Sequence, residues 1–374
     1  MTLIFANQEF EIAGLEQQGF PLLIEPDGEL SEPFFSFLVH RLLHEGGVAS
    51  RKSWPTYGFA LLHYQRYLQE TNRPWNEPSV VGVPSVLAGY RAWAVKGGTG
   101  KSTTRDRMDL IRGLYEFALQ HGLTSFLPFD YKDGTGKVGR GHMPGAKKTE
   151  KPAINVKLKV PKRVLKVLSV SDVAAFLGSL SNRTHRLMAR LQLTTGIRVE
   201  ELVTFPLKYV IDPRTRPQAR HFFAVTLNPA DMSTKGSVER VIHVPRDMMA
   251  DLWAYAALER NKRLAGDSKA PTLFVTQEGN QFATRSVWAL YARTALSTSI
   301  HVNPHALRHT YATHTLAALG KVRNQGNALL YVRNRLGHSS VVTTERYLHY
   351  VDDVVESLME VYQAELFQAI DEAA

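Results

Sequence analysis

The stretch KGGTGKSTT, residues 96–104, and the pair His305 and His309 are two places where residue type and spacing could do chemistry. Gly100-Lys101-Ser102 has the letters that end a nucleotide-binding loop. That loop needs G-x-x-x-x-G-K-[ST] between a buried strand and a helix. Five residues before Gly100 stands Val95, not glycine, and the segment VLAGYRAWAV that ends there is patterned as a helix. No acidic strand suited to magnesium follows it. The stretch reads better as a turn between two helices, in which Gly97, Gly98 and Gly100 let the chain reverse. Ser102 or Thr103 then caps the next helix. Lys101 and Arg105 fall at that helix's positive end, where a DNA phosphate is a natural neighbour. His305 and His309 stand four apart, a spacing that suits zinc on one helix face. The metalloprotease pattern needs a Glu directly after the first His. Here that residue is Ala306, and Arg308 would repel a cation. Neither a metal nor a nucleotide cofactor is expected.

A richer set lies in four segments: TTGIRVEEL (194–202), MSTKGSVERVIHVP (232–245), HALRHTYATH (305–314) and LGHSSVVTTERYLHY (336–350). Arginine offers an oxyanion a planar fork that stays charged. Lysine and histidine can move protons. A tyrosine phenol can act as a nucleophile. Taken singly, each residue has an ordinary explanation. Most helical arginines lie at the surface, a Lys beside a Gly is usually a solvated turn, and Tyr347 could be a half-buried core residue like Tyr350. The weight lies in the set.

The elements that must position this set follow from periodicity. Residues 1–34 mix short apolar runs with turn signals such as Pro26-Asp27-Gly28 and read as extended. Residues 35–127 are helical in pattern, with stripes at Tyr57, Leu61, Tyr64 and Leu68, at Val86, Leu87, Tyr90, Trp93 and Ala94, and at Met108, Ile111, Leu114, Tyr115 and Ala118. Residues 128–166 lose periodicity. From Lys132 to Lys166 they hold eleven basic residues against two acids, which reads as an interdomain linker that lies along phosphates. From residue 167 a second domain runs to 350. It opens with a helix capped by Ser171-Asp172 through Leu180 and another over about 183–194. Strands at 221–227 and 239–244 flank MSTKGSV as a hairpin, and helices follow at about 246–264, 284–297, 305–319 and 326–335. Residues 351–374 form a last helix whose apolar face includes Val354, Leu358, Tyr362 and Leu366. The sum is a mainly α chain with a small antiparallel sheet.

Charge says where a partner sits. The net charge is +10, yet residues 1–40 and 351–374 each hold seven acids and no Lys or Arg, which leaves +24 on residues 41–350. A basic body between acidic ends suggests that the body meets a polyanion. The chain has no cysteine, so disulfides, thiolate zinc sites and cysteine nucleophiles are excluded, and a reducing cytosol fits. No apolar run is long enough to span a membrane, and the first residues lack the basic start and apolar middle of a signal peptide.

In order and spacing, the four segments resemble the tyrosine recombinases, the phage and transposon integrase family. The likeness covers about 169–350 by motif and extends more loosely to 35–127, which looks like the family's helical core-binding domain. It implies an N-terminal core-binding domain followed by an α+β catalytic domain. Position by position, Arg198 matches the first catalytic arginine and Glu201 its supporting acid. Lys235 matches the hairpin lysine, His305 and Arg308 the His-x-x-Arg pair, His338 the histidine of Leu-Gly-His, and Tyr347 the nucleophile. The implied reaction cleaves and rejoins DNA through a 3′-phosphotyrosine without metal or ATP. Arg198 and Arg308 would neutralise the transition-state phosphate, and Lys235 would protonate the departing 5′ oxygen. His305 would help take the tyrosine proton, and His338 would hydrogen-bond the phosphate.

The implied partners are double-stranded DNA, a homo-tetramer on two sites and accessory recombination proteins. The implied setting is the nucleoid in the cytoplasm, in the service of a mobile genetic element. The helix at 351–374 would dock on a neighbouring subunit. Two rivals stay open: a type IB topoisomerase-like relaxing enzyme, and a catalytically idle DNA-binding regulator. Two features depart from the family's pattern. KVRNQGNALLYVRNRL, between Gly320 and Gly337, is longer than in compact members, and the acidic residues 1–34 are unlike a basic arm-binding domain.

Overall fold

The computed structural model describes residues 1–46, 50–131, 153–161, 165–219, 221–264, 270–320, 325–337, 341–345 and 347–348. His338, most of the basic linker and the segment 351–374 lie outside the described residues. The chain divides into two compact units, Met1–Lys162 and Arg163–Ala374.

The first unit begins with four short strands, β1 (Thr2–Phe5), β2 (Glu11–Ile12), β3 (Leu15–Glu16) and β4 (Pro21–Ile24). β1 pairs antiparallel with β4, from Thr2↔Ile24 to Phe5↔Pro21, and β2 with β3. Four helices follow: α1 (Glu32–Val39), α2 (Trp54–Thr71), α3 (Val86–Lys96) and α4 (Lys101–Gln120). The stripes read from the sequence face inward. Leu61, Tyr64, Leu68, Leu87, Tyr90, Ile111, Leu114 and Tyr115 are all buried. Six of the seven acids of residues 1–34 are exposed, Glu9, Glu11, Glu16, Asp27, Glu29 and Glu32, yet the apolar residues Phe20, Leu22 and Leu23 join the same core as Phe34, Phe37 and Trp54. Residues 1–34 are therefore part of this unit's packing rather than an appendage to it. Beyond α4, Ile154, Val156 and Leu158 of the basic stretch also pack on that core. The KGGTGKSTT stretch is a turn between α3 and α4, as the sequence suggests. Its cap differs, because α4 begins at Lys101 with Gly100 as N-cap, ahead of Ser102 and Thr103. Lys101 and Arg105 are exposed on its first turns, with Arg105 3.1 Å from Asp106.

The second unit opens with α5 (Val170–Ser179), α6 (Arg183–Thr195) and α7 (Val199–Val203). Ser169 caps α5 in a reciprocal box with Asp172, two residues before the expected cap. β5 (Phe222–Leu227) and β6 (Arg240–Pro245) form the antiparallel hairpin, in register from Phe222↔Pro245 to Leu227↔Arg240. Along β5 exposure and burial alternate, the period of a sheet with one covered face. The chain then runs through α8 (Arg246–Ala254) and a π turn at Tyr255–Arg260 into α9 (Asn261–Arg263). It continues through α10 (Thr284–Arg293), α11 (Ala295–Thr298), α12 (Pro304–Gly320), α13 (Gln325–Leu336) and α14 (Val341–Glu345). Phe176, Leu187, Met188, Leu191 and Leu202 of the early helices, with Phe205 just after α7, share a core with Phe223, Val225, Ile242 and Val244 of the hairpin. A second cluster joins Tyr311, Ala312 and Leu316 of α12 to Leu329, Val332 and Leu336 of α13 and to Tyr347. The architecture is mainly α with small antiparallel sheets, as read from the sequence. No described helix is long and apolar enough to cross a membrane.

Candidate active site

Arg198 sits where α6 ends and α7 begins. Gly196 closes α6 at φ 66°, a left-handed turn that favours glycine. A Cβ there would lie 2.3 Å from the Tyr311 ring and 2.8 Å from Leu336, so the two helices close on a position that admits no side chain. Two residues on, Arg198 is the N-cap of α7, and its backbone N–H donates to Glu201 Oε2 at 2.7 Å. Its guanidinium donates to Glu201 Oε1 at 3.0 Å and to the Gly337 carbonyl at 3.4 Å.

Glu201 is fully buried, a costly position for a lone carboxylate. It is matched by Arg240, the first residue of β6, whose Nη1 and Nη2 donate to Oε1 and Oε2 at 2.7 and 2.5 Å. Burial alone would push the Glu201 carboxyl up, but the bonds and charge of Arg240, and then the charge of Arg198, hold it below its ordinary value. Arg240 also donates through Nε to the Arg335 carbonyl at 2.9 Å.

Arg308 projects from α12 and is 5% exposed. It donates to the Gly196 carbonyl at 2.5 Å and to the Leu336 carbonyl at 2.6 Å. Among the described residues no carboxylate forms an ion pair with it. Burial first, and the like charge of Arg198 second, lower its pKa, which makes the site a place where an anion is welcome. The consecutive carbonyls of Arg335, Leu336 and Gly337, at the C-terminal end of α13, thus accept from Arg240, Arg308 and Arg198 respectively. Gly337 itself has φ 63°, and a Cβ there would lie 2.9 Å from Arg240 Cδ.

His305, one turn before Arg308 on the same helix, is exposed and packs edge-on to Trp288 at 5.5 Å. Burial of part of its ring lowers its pKa. Glu200 acts in the opposite sense, and Arg308, Arg198 and Lys235 add to the lowering. His305 is thus within electrostatic reach of all three cations. Lys235 is exposed in a tight turn, Lys235–Ser237, on the loop between β5 and β6, with Gly236 and Ser237 both at positive φ. Tyr347 is 3% exposed. Its hydroxyl lies 3.0 Å from Nδ1 of His309, and its ring 5.6 Å from the imidazole.

Six of the seven sequence-derived positions are described, and Arg198, Glu201, Lys235, His305 and Arg308 gather in one region of the second unit. Tyr347 is within electrostatic reach of Arg308. The seventh, His338, lies outside the described residues. Two neighbours were not singled out for this site by the sequence. His309, weighed there only as a zinc ligand, is the histidine at the Tyr347 hydroxyl in this structure, where His305 was expected to help the tyrosine. Arg240 had a visible signal. It occupies the inward phase of β6 with Ile242 and Val244, and a charge on the buried face of a strand calls for a buried partner. Among the described residues no group of acids and histidines could hold a metal ion.

Helices and hairpin of this order bring two arginines, Arg198 and Arg240, onto one buried acid. The chain belongs to the phage integrase family, whose model matches residues 166–353. It is similar to the tyrosine recombinase XerD of Halalkalibacterium halodurans, with 27% identity over 206 residues, covering 53% of this chain and 62% of that protein. The chain therefore matches about six-tenths of that relative's length. The XerD of Xanthomonas campestris pv. campestris is 26% identical over 353 residues, covering 88% of this chain and 90% of its own. A solved structure of the XerH site-specific recombinase, in a post-cleavage complex with a palindromic difH substrate, shares the fold. Its TM-score is 0.55 at 18% identity, over 88% of this chain and 85% of that one.

Proposed function

We propose that this protein is a site-specific DNA recombinase that cuts and rejoins strands by transesterification at Tyr347. The observation that carries the reading is the pair Arg198 and Arg308. The two guanidiniums donate to neighbouring carbonyls at the end of α13, Leu336 and Gly337, and Arg308 is bonded only to backbone carbonyls among its described partners. Such a pair suits a phosphate whose non-bridging oxygens gain charge in the transition state.

In the proposed reaction the Tyr347 oxygen attacks the scissile phosphorus. The bond to the 5′ oxygen breaks, the phosphate is left on the phenol as a 3′-phosphotyrosine, and the 5′ oxygen takes a proton from Lys235. The tyrosine proton passes to an imidazole. His305 is near the arginines and neutral at physiological pH because its pKa is lowered, which suits an acceptor. His338 is assigned to the phosphate by family likeness. Attack by a strand from a partner duplex reverses the steps without loss of the ester's energy. The reading includes duplex DNA, four protomers on two sites, docking of residues 351–374 on a neighbour, and independence from metal and ATP. It also includes phosphate contacts from Lys101 and Arg105.

The test uses nicked suicide duplexes, selected from a random pool by binding to this chain, incubated with it in EDTA. A covalent protein–DNA adduct is expected, and Tyr347→Phe is expected to abolish it. An adduct that persists in Tyr347→Phe sinks the assignment of the nucleophile, and no adduct from the unaltered chain sinks the reaction.

A further inference from the structure

Glu201 presents two oxygens, and their distribution between two arginines is unequal. Arg240 engages both, at 2.7 and 2.5 Å, with a parallel two-bond geometry. Arg198 reaches only Oε1 with its guanidinium, at 3.0 Å, while its backbone N–H takes Oε2. Both Glu201 and Arg240 are buried, so their charges are poorly screened by water. Arg198 is more exposed than either.

We infer that Arg240 is a positioning residue for the scissile phosphate: by holding both oxygens of Glu201 it leaves the Arg198 guanidinium oriented by the carboxylate but not neutralised by it. This rests on the recombinase reading above. Glu201 alone would fix the direction of Arg198, yet a single buried Glu–Arg pair carries no net charge. Adding Arg240 restores one positive charge to the trio, and with Arg308 the cluster holds two in excess. A dianionic phosphorane-like transition state needs that excess. The Nε bond of Arg240 to the Arg335 carbonyl fixes its own fork, so that it cannot turn away from the acid.

A purely structural role for Arg240 is the rival, and the charge argument separates the two. The chain, Arg240→Gln, Glu201→Gln and the double variant are compared on two suicide duplexes. One carries the normal scissile phosphate. The other carries a methylphosphonate, in which a methyl group replaces one non-bridging oxygen and removes the negative charge. Expected is a loss of cleavage rate at saturating DNA of about 10–100-fold in Arg240→Gln, the usual size when the outer partner of a site residue is removed. Equilibrium DNA binding should change little. On the neutral methylphosphonate the same variant should lose much less. Adding Glu201→Gln should restore most of the lost rate, because the acid that would neutralise Arg198 is gone. Arg240→Lys should keep part of the rate and guards against a variant that fails to fold. Equal losses on both substrates, with no recovery in the double variant, overturn the inference, as does an unimpaired Arg240→Gln. If the unaltered chain forms no adduct at all, the recombinase reading fails first and Arg240's role fails with it.

Discussion

The two units bury polar groups in opposite ways. In the first, the most deeply buried polar groups are neutral, the phenols chief among them, and its buried arginine, Arg112, is paired at 2.7 Å with the half-exposed Glu116. Tyr64 and Tyr115 share a hydrogen bond at 2.6 Å between their hydroxyls, and the Tyr115 hydroxyl donates to the Trp75 carbonyl. Burial raises both phenols far from ionisation. In the second, the core holds full charges at Glu201, Arg240 and Arg308. A buried ion cluster is weak evidence for stability, since its desolvation offsets much of its attraction. A neutral network satisfied at both ends does the structural work without that cost. The contrast teaches that the charges of the second unit are kept for what they do, while the phenols of the first are kept for what they hold together.

That contrast can be broken at several points. The largest effect is expected at Arg308→Lys. The charge remains, but a lysine cannot span the Gly196 and Leu336 carbonyls and also meet a phosphate. Single-turnover cleavage should fall about 100–1,000-fold, the loss typical of removing one oxyanion donor. A loss below threefold would mean the fork is dispensable. Next is pH. His305 is held below its ordinary value of 6.5, so it is neutral at pH 7 and gains a proton only in more acidic solution. Cleavage should therefore be level around pH 7 and decline as pH falls below about 6.5, by about tenfold per pH unit at the limit for one required neutral group. In His305→Gln the rate is lower and that decline should disappear. A decline that survives in His305→Gln but vanishes in His309→Gln would move the proton acceptor to the residue that touches Tyr347. The smallest effect is expected in the first unit. Tyr64→Phe should cost about 1 kcal/mol of stability, measured by denaturant unfolding, because it removes one buried bond from a network that keeps its other link. Its cleavage rate should be unchanged. A cleavage defect there larger than the stability loss explains would erase the division between the units.

Much of this arrangement is legible in the sequence, for reasons that differ by residue. Helices such as α2 and α4 announce themselves because Leu61, Tyr64, Leu68, Ile111, Leu114 and Tyr115 recur with the helical period and all point inward. The β5–β6 hairpin is legible from its alternation. Arg198, Arg308 and Tyr347 are singled out by family likeness, since nothing local marks one arginine as buried. The phase of Arg240 on β6 was visible, but its partner Glu201 is 39 positions away in sequence, and no periodicity connects them. His309 shows the same limit. Its spacing from His305 is apparent, whereas its contact with Tyr347 depends on how α12, α13 and the turn at Tyr347 pack. The ends of elements shift by a residue or two because several residues can cap a helix. Gly100 takes the place expected for Ser102, and Ser169 the place expected for Ser171. The first 34 residues read as extended, and four short strands stand there. Their acids face water, while Phe20, Leu22 and Leu23 are drawn into the core.

Gly196 stands two residues before Arg198, and Gly337 stands directly before His338. Both take left-handed backbone angles, and at both a Cβ would collide, with Tyr311 and Leu336 in one case and with Arg240 in the other. The tolerance of this site to random mutation is therefore set in part where it carries no reacting group. A survey of inactive variants would find these two positions among its most intolerant, each a glycine that lends an arginine its backbone carbonyl and leaves room no side chain could share.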